Sequence, residues 1–332
     1  MGSGNSTTVT EFVLLGFTSS PDLRALLFAL FSVSYVTILL GNASLLLVIH
    51  LDACLHTPMY LFLRHLSFVD LCYSSAIVPK ALNSFVMGDG TISFLGCAMQ
   101  FCVFGGMLTT ECCLLAFMAY DRFVAICKPL LYTVTMSDRI CTWLLVCSYA
   151  SGFLNSLIQT GYTFSLPFCG ANQVDHFFCD ITPLLKLSCT ETRSNKTIIL
   201  ASACVIGVSS FLTTLIPYLY IFMAILRIPS PQGRRKAFST CSSHLTAVFI
   251  FFRTLIFMYL RPKPSYSAQQ DKTVSVLYTI VIPMVNPMIY SLRNKDVKEA
   301  LRRRLPVTVS GWRLPTFPSP KESGLSRAFY NT

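Results

Sequence analysis

Charge is scarce in this sequence. Asp, Glu, Lys and Arg make up 12% of its 332 residues, against 53% hydrophobic residues and a mean hydropathy of +0.58. That balance cannot build one soluble core under an ordinary charged surface, so lipid must be the solvent. Acidic residues are the scarcer sign, 15 against 26 basic, for a net charge of +11 and a pI near 9.1. The basic residues are not gathered into one soluble domain, which excludes nucleic acid as the partner. Also missing are a glycine-rich phosphate loop, zinc-ligand spacing and a nucleophile elbow. The five histidines, His50, His56, His65, His176 and His244, are scattered over different depths. No catalytic residue and no metal site is assigned, and an enzyme is not expected. No internal repeat is evident, which weakens a transporter reading. Residues 1–23 are polar and interrupted by Glu11, Pro21 and Asp22, unlike a cleavable leader, so the first apolar stretch is expected to act as its own anchor.

What the chain does have is seven apolar stretches, each long enough to cross a hydrocarbon layer of roughly 30 Å as a helix of about 20 residues. They cover 25–49, 58–78, 94–120, 140–162, 198–226, 237–260 and 273–292. An odd number of spans puts the termini in opposite compartments. Arg122, Lys128, Arg139, Arg227, Arg234, Arg235, Lys236 and the cluster at 293–304 mark the inner face, while only Arg24 precedes the first span, so the N-terminus lies outside. The expected organisation is an outer segment (1–24), an all-α bundle of seven transmembrane helices (25–292), an amphipathic inner helix (293–305) and a proline-containing disordered tail (306–332). Asn5 heads an acceptor sequon on the outer side and is expected to carry a glycan; Asn195 heads another that is left open. Of 14 cysteines most fall inside spans, but Cys97, Cys169, Cys179 and Cys189 face the oxidising compartment, where three pairings are open to them. The outer stretch 163–197 holds three of these four and is expected to form a stapled lid over the bundle mouth.

Ionic residues inside the spans point to function, because each is costly there. Asp121 and Arg122 stand where the third span leaves the bilayer, a placement suited to a switch between internal pairing and exposure to a cytoplasmic partner. Glu111 lies eleven residues before Arg122, about 16 Å deeper. Asp70 is comparably deep in the second span. Two carboxylates at one level cannot both stay ionised cheaply, so the pair should take up a proton or Na⁺, unless hydroxyls or water satisfy each separately. Asn286-Pro287 breaks the backbone ladder of the seventh span, and Tyr290 one turn below it can meet Tyr218 and Arg122.

Six motifs follow in order: Gly41-Asn42; Leu55-His56-Thr57-Pro58-Met59-Tyr60; Leu66-Ser67-Phe68-Val69-Asp70-Leu71-Cys72; Met118 to Cys127, with Asp121-Arg122 at its centre; Lys236 to Leu245; and Pro283 to Tyr290. Together they resemble the odorant receptors of the tetrapod-type group, a branch of the rhodopsin-like G-protein-coupled receptors, over residues 11–305. The resemblance implies a multi-pass plasma-membrane receptor. A small volatile odorant would bind in the outer half of the bundle and favour a state that engages a heterotrimeric G protein of the stimulatory class, raising cAMP. It implies a ligand site at Phe104, Gly105, Leu108, Thr109, Ser202, Ile206, Phe252, Leu255, Tyr259, Val276 and Thr279. It further implies activation through Asp121, Arg122, Tyr218, Asn286, Pro287 and Tyr290, an ion site at Asp70 and Glu111, and disulfides Cys97 to Cys179 and Cys169 to Cys189. No cofactor is implied beyond that ion or proton.

The chain departs from the family pattern in the sixth span, where Phe251-Phe252-Arg253 replaces Phe-Tyr-Gly. Arg253 lies about 12 Å inside the outer boundary set by Arg261 and should cost roughly 2.5 to 3.5 kcal/mol unless it finds partners. It can face the ligand site and bind an acidic odorant, reach Glu111 or Asp70, or snorkel outward, and the last is the reading preferred. Phe123 for tyrosine and Pro217 for serine are smaller departures. Phe252 and Arg253 leave open a receptor-like protein that folds but does not signal; an ion-coupled transporter is the other alternative.

Overall fold

Stripped of water, an apolar segment must satisfy its own backbone N–H and C=O groups, and a helix does so locally. In the computed structural model, which describes residues 9–17, 20–168, 172–190, 192–227, 229–259, 268–293 and 295–304, the apolar stretches accordingly become helices. They are α1 (Pro21–Leu51), α2 (Pro58–Met87), α3 (Phe94–Cys127) and α4 (Asp138–Phe164). Three continuous segments then form α5: Arg193–Ser202, a π-helical Ala203–Val208 and Ser209–Leu226. After α6 (Pro231–Tyr259), α7 joins Ala268–Val276, a π-helical Leu277–Val281 and Ile282–Arg293. Six of the seven are long and apolar enough to cross a membrane, and α6 contributes the shorter apolar run Leu245–Phe257. Helical backbone continues beyond the apolar limits until local chemistry stops it. Pro58 starts α2 and the left-handed Gly88 ends it, while the Ser93 hydroxyl caps α3 by accepting the Gly96 N–H.

Small residues set how closely the helices cross. A Cβ on Gly152 would lie 2.5 Å from the Gly106 carbonyl, so the α3–α4 crossing admits only glycine there. On the other side, a Cβ on Gly41 would lie 3.3 Å from the Pro287 ring, and the Asn42 amide donates to the carbonyls of Ile38 and Pro283, both at 3.0 Å. The Gly41-Asn42 motif thus clamps α1 to α7 at the point where proline has interrupted the ladder. Leu66, Tyr73, Leu114, Phe251 and Tyr278 belong to the main core, whereas Leu30, Val33 and Leu40 of α1 are exposed to lipid.

The outer end departs from the all-helical expectation. Residues 11–14, expected only as part of a polar segment, form strand β1 (Glu11–Leu14) between β2 (Thr91–Ser93) and β3 (Gln173–Val174). Glu11 pairs antiparallel with Ser93, and Val13 parallel with Gln173. Alternation explains the strand: Phe12 and Leu14 turn inward and are buried, and Phe12 packs against Phe94, Phe164 and Phe168. Cys97 of α3 is bonded to Cys179 beneath this cap. Cys189 is also disulfide-bonded, while Cys169 lies outside the described residues, as do Asn5, Arg261 and the tail 306–332.

At the inner end, α8 (Lys295–Arg304) buries Val297 and Ala300 and is tied to the first two helices by polar contacts. Tyr60 donates to Asp296 at 3.1 Å, and Arg303 pairs with Asp52 at 2.9 Å. The Cys54 backbone N–H and then Arg303 hold the Asp52 carboxyl below its ordinary range.

Candidate functional site

A cavity of about 170 Å³ opens in the outer half of the bundle. α3 gives it Phe101, Phe104, Gly105, Leu108, Thr109 and Cys112; α5 gives Ile199, Ser202, Ile206, Gly207, Val208 and Phe211; α6 gives Phe252, Leu255 and Ile256. The π-helical turn of α5 supplies Ile206, Gly207 and Val208 to this wall. Asp180 and Ile181, from the loop after α4, reach the same space, and the disulfide at Cys179 ties that loop to α3. Asp180 accepts the Ile181 N–H at 2.7 Å and caps the short helix Ile181–Lys186; burial pushes its carboxyl up to about 6.

Phe104, Gly105, Leu108, Thr109, Ser202, Ile206, Phe252 and Leu255 therefore surround one space. Val276 and Thr279 do not line it. Thr279 is fully buried, its hydroxyl donating to the Ser275 carbonyl and its own carbonyl accepting from Ser74, so this part of α7 is spent on α2. The side chain of Tyr259 lies outside the described residues.

α4 supplies what the sequence reading missed, namely Asn155, Ser156 and Gln159. The two amides, one turn apart on the face that also carries Ser156, were the available signal. Gly105 makes room for them: a Cβ there would lie 2.8 Å from Ser156 Oγ, which donates to the Cys102 carbonyl at 2.7 Å.

Below the cavity, Phe104 stacks on Tyr278 at 5.8 Å and meets Tyr73 edge-on at 6.2 Å. The Tyr73 hydroxyl is within 3.2 Å of both Asp70 Oδ1 and the Tyr278 carbonyl, and Asn286 donates to Asp70 Oδ2 at 3.1 Å. Tyr278 in turn donates to Ser275, whose hydroxyl meets the buried His176 ring at 3.2 Å. Tyr278 thus bonds toward the outer loop through its hydroxyl and toward Tyr73 and Asp70 through its backbone carbonyl, with its ring between the two groups. Glu111 is fully buried beside it, and neither of its carboxylate oxygens has a hydrogen-bond partner among the described residues. Such a pair of orphaned oxygens suits a proton or a small cation. No group of three metal-ligating side chains occurs among the described residues.

At the inner rim the Asp121 carboxylate accepts from Tyr132 at 2.8 Å, and Arg122 reaches the Met59 sulfur. The pair therefore does not close on itself in this conformation. Tyr218 is buried within electrostatic range of Tyr290 and Arg122, beside a cluster of Ala119, Ile221, Ile225 and Cys241. Pro287 sits inside α7 between Asn286 and this level. Arg253 is exposed on α6, as are Phe249 and Phe257, whereas its neighbour Phe252 is buried against Phe211.

The sequence is similar to known proteins over most of its length. The family model described as olfactory receptor matches residues 31–307. The chain is 56% identical to mouse (Mus musculus) olfactory receptor 5AP2 over 301 residues, covering 91% of this chain and 95% of that protein. Human (Homo sapiens) olfactory receptor 5AP2 is 55% identical over 301 residues, with the same coverages. The dog (Canis lupus familiaris) olfactory receptor-like protein OLF1 is 51% identical over 306 residues, covering 92% of this chain and 98% of that protein.

Proposed function

This chain belongs to the olfactory receptor family, multi-pass receptors of the plasma membrane that are not enzymes, and on that premise we propose that its outer cavity binds a small volatile odorant and that binding activates a stimulatory G protein to raise cAMP. One observation carries the reading. Phe104 is at once a wall of the cavity and the ring against which Tyr73 and Tyr278 pack, so a ligand pressing on it acts on the hydroxyl that holds Asp70. Asp70 also binds Asn286, next to Pro287, and so couples α2 to the hinge of α7. A shift there moves Tyr290 toward Tyr218 and Arg122, the inner group expected to bias the cleft that admits the G protein. Asp70 and Glu111 share a proton or Na⁺, which supplies the charge balance that two buried carboxylates lack.

The test is a cAMP reporter in cells supplied with the stimulatory G protein, run across a panel of volatiles with cell-surface staining. The expected result is a concentration-dependent rise that Phe104→Ala weakens and Arg122→Ala abolishes at equal surface density. A receptor that reaches the surface in full and raises no cAMP with any volatile would refute the reading. So would ligand-gated current in cells without G protein, which would favour the ion-coupled transporter.

A further inference from the structure

One wall of the cavity is a hydrogen-bonded ladder across three helices. Asn155 donates to Thr109 Oγ1 at 3.4 Å, Gln159 donates to Asn155 Oδ1 at 3.2 Å and to Ser202 Oγ at 2.8 Å, and Ser202 donates to the Ile199 carbonyl at 2.9 Å. Counting what each group can do shows what is left over. Both N–H groups of Gln159 are used, and its Oε1 accepts nothing among the described residues. Asn155 keeps a second N–H, and the Thr109 hydroxyl hydrogen has no acceptor among the described residues. The remainder is therefore mixed, with donors at Asn155 and Thr109 and an acceptor at Gln159, set in a cavity otherwise walled by groups such as Phe104, Leu108 and Leu255.

Resting on the reading of this cavity as the odorant site, we propose that it selects a compact volatile alcohol whose hydroxyl seats between Asn155 and Gln159. A hydroxyl accepts from Asn155 or Thr109 and donates to Gln159 Oε1, completing the ladder in both directions. It would do so even with an amide turned over, because it offers both functions. A carbonyl oxygen only accepts and leaves Gln159 Oε1 bare. A hydrocarbon leaves all three groups unpaired, and a site built to hydrogen-bond a ligand discriminates hardest against the analogue that lacks the group. An ammonium brings donors alone and strands those of Asn155 and Thr109, so its one gain would be at Asp180, which lines the cavity and whose Oδ1 already accepts the Ile181 N–H. Size narrows the class. An apolar cavity of about 150 Å³ holds a benzene ring, so a cavity of about 170 Å³ suits a single ring or short chain of about seven heavy atoms.

Cyclohexanol, cyclohexanone, cyclohexane and cyclohexylamine share one shape and differ in the group presented to this wall. The experiment measures how each raises the unfolding temperature of the full-length receptor in lipid nanodiscs, a readout that needs no G protein. Cyclohexanol is expected to act at roughly tenfold lower concentration than cyclohexanone, with cyclohexane weakest. In Gln159→Met the alcohol should lose its advantage over the ketone while the cyclohexane response stays as it was. Thr109→Val serves as the second variant and should weaken alcohol and ketone together. Overturning results are a cyclohexane response equal to that of cyclohexanol, a response led by cyclohexylamine, an alcohol preference that survives Gln159→Met, or no shift with any of the four. Should the cAMP panel meanwhile identify a volatile of another class, the receptor function stands and the alcohol assignment falls.

Discussion

The phenol of Tyr73 stands 3.2 Å from Asp70 Oδ1 and 3.2 Å from the carbonyl oxygen of Tyr278, so one hydroxyl hydrogen is shared between a carboxylate on its own helix and the backbone of α7. Tyr73→Phe keeps the ring against Phe104 and deletes only that sharing. The variant should lose about 1 kcal/mol of stability, with an unfolding midpoint a few degrees lower. An unchanged midpoint in purified receptor would mean that the hydroxyl does not tie α2 to α7.

The bond between Cys97 and Cys179 closes a loop with a sequence separation of 82 and anchors the segment that carries Asp180 and Ile181. Cys97→Ser should cost about 4 kcal/mol through the freed chain. Surface staining is expected to fall to near background. Full staining together with an intact odorant response would show that the cap at β1–β3 holds the loop unaided.

Outer pH should act on Asp180 and His176 with opposite sign. Burial raises the Asp180 carboxyl from 3.8 to about 6, so the folded state binds the extra proton. Its stabilising contribution is complete below about pH 4 and is lost as pH rises through 6. Asp180→Asn should therefore gain about 2 to 3 kcal/mol on the parent at pH 7.5 and little at pH 4. His176 is held down at about 3 by burial, so its contribution is present above about pH 6.5 and fades as pH falls toward 3. Unfolding midpoints of both proteins between pH 4 and 7.5 check the sign; a difference that does not grow with pH contradicts it.

Arg253 is exposed and does not line the cavity, so Arg253→Gly should leave the odorant concentration dependence unchanged within about twofold while raising the number of receptors at the surface. A change in which odorants work, at constant surface density, would mean that the guanidinium reaches the site.

The helices were legible because lipid imposes a length and an apolar composition that few other segments meet. The Gly41-Asn42 and Asn286-Pro287 motifs were legible for a related reason: polar and helix-breaking groups survive in a span only where a neighbour satisfies them, as Asn42 does for the Pro283 carbonyl. β1 was not, since four residues with two apolar side chains say little until β2 and β3 arrive to pair with them. Nor was the share of α4 in the cavity, which depends on glycine at 105 and 152 letting that helix approach α3. The seventh span was expected to supply Val276 and Thr279, but hydrogen bonds from Tyr73 and Ser74 turn this stretch toward α2. Helix rotation of that kind is decided by partners distant in the chain.

The outer cap has a consequence for the order of events during synthesis. Val13 is made first and pairs with Thr91 and with Gln173, the latter 160 residues later. At roughly 5 to 20 residues per second, its second neighbour emerges some 10 to 30 s afterwards. Until β2 follows, Phe12 and Leu14 have neither neighbouring strand, and the pairing with β3 waits until four helices have been made. The earliest strand to be translated is thus fully paired only when the third one arrives, and its seating reports that the loop carrying β3 has crossed to the correct side.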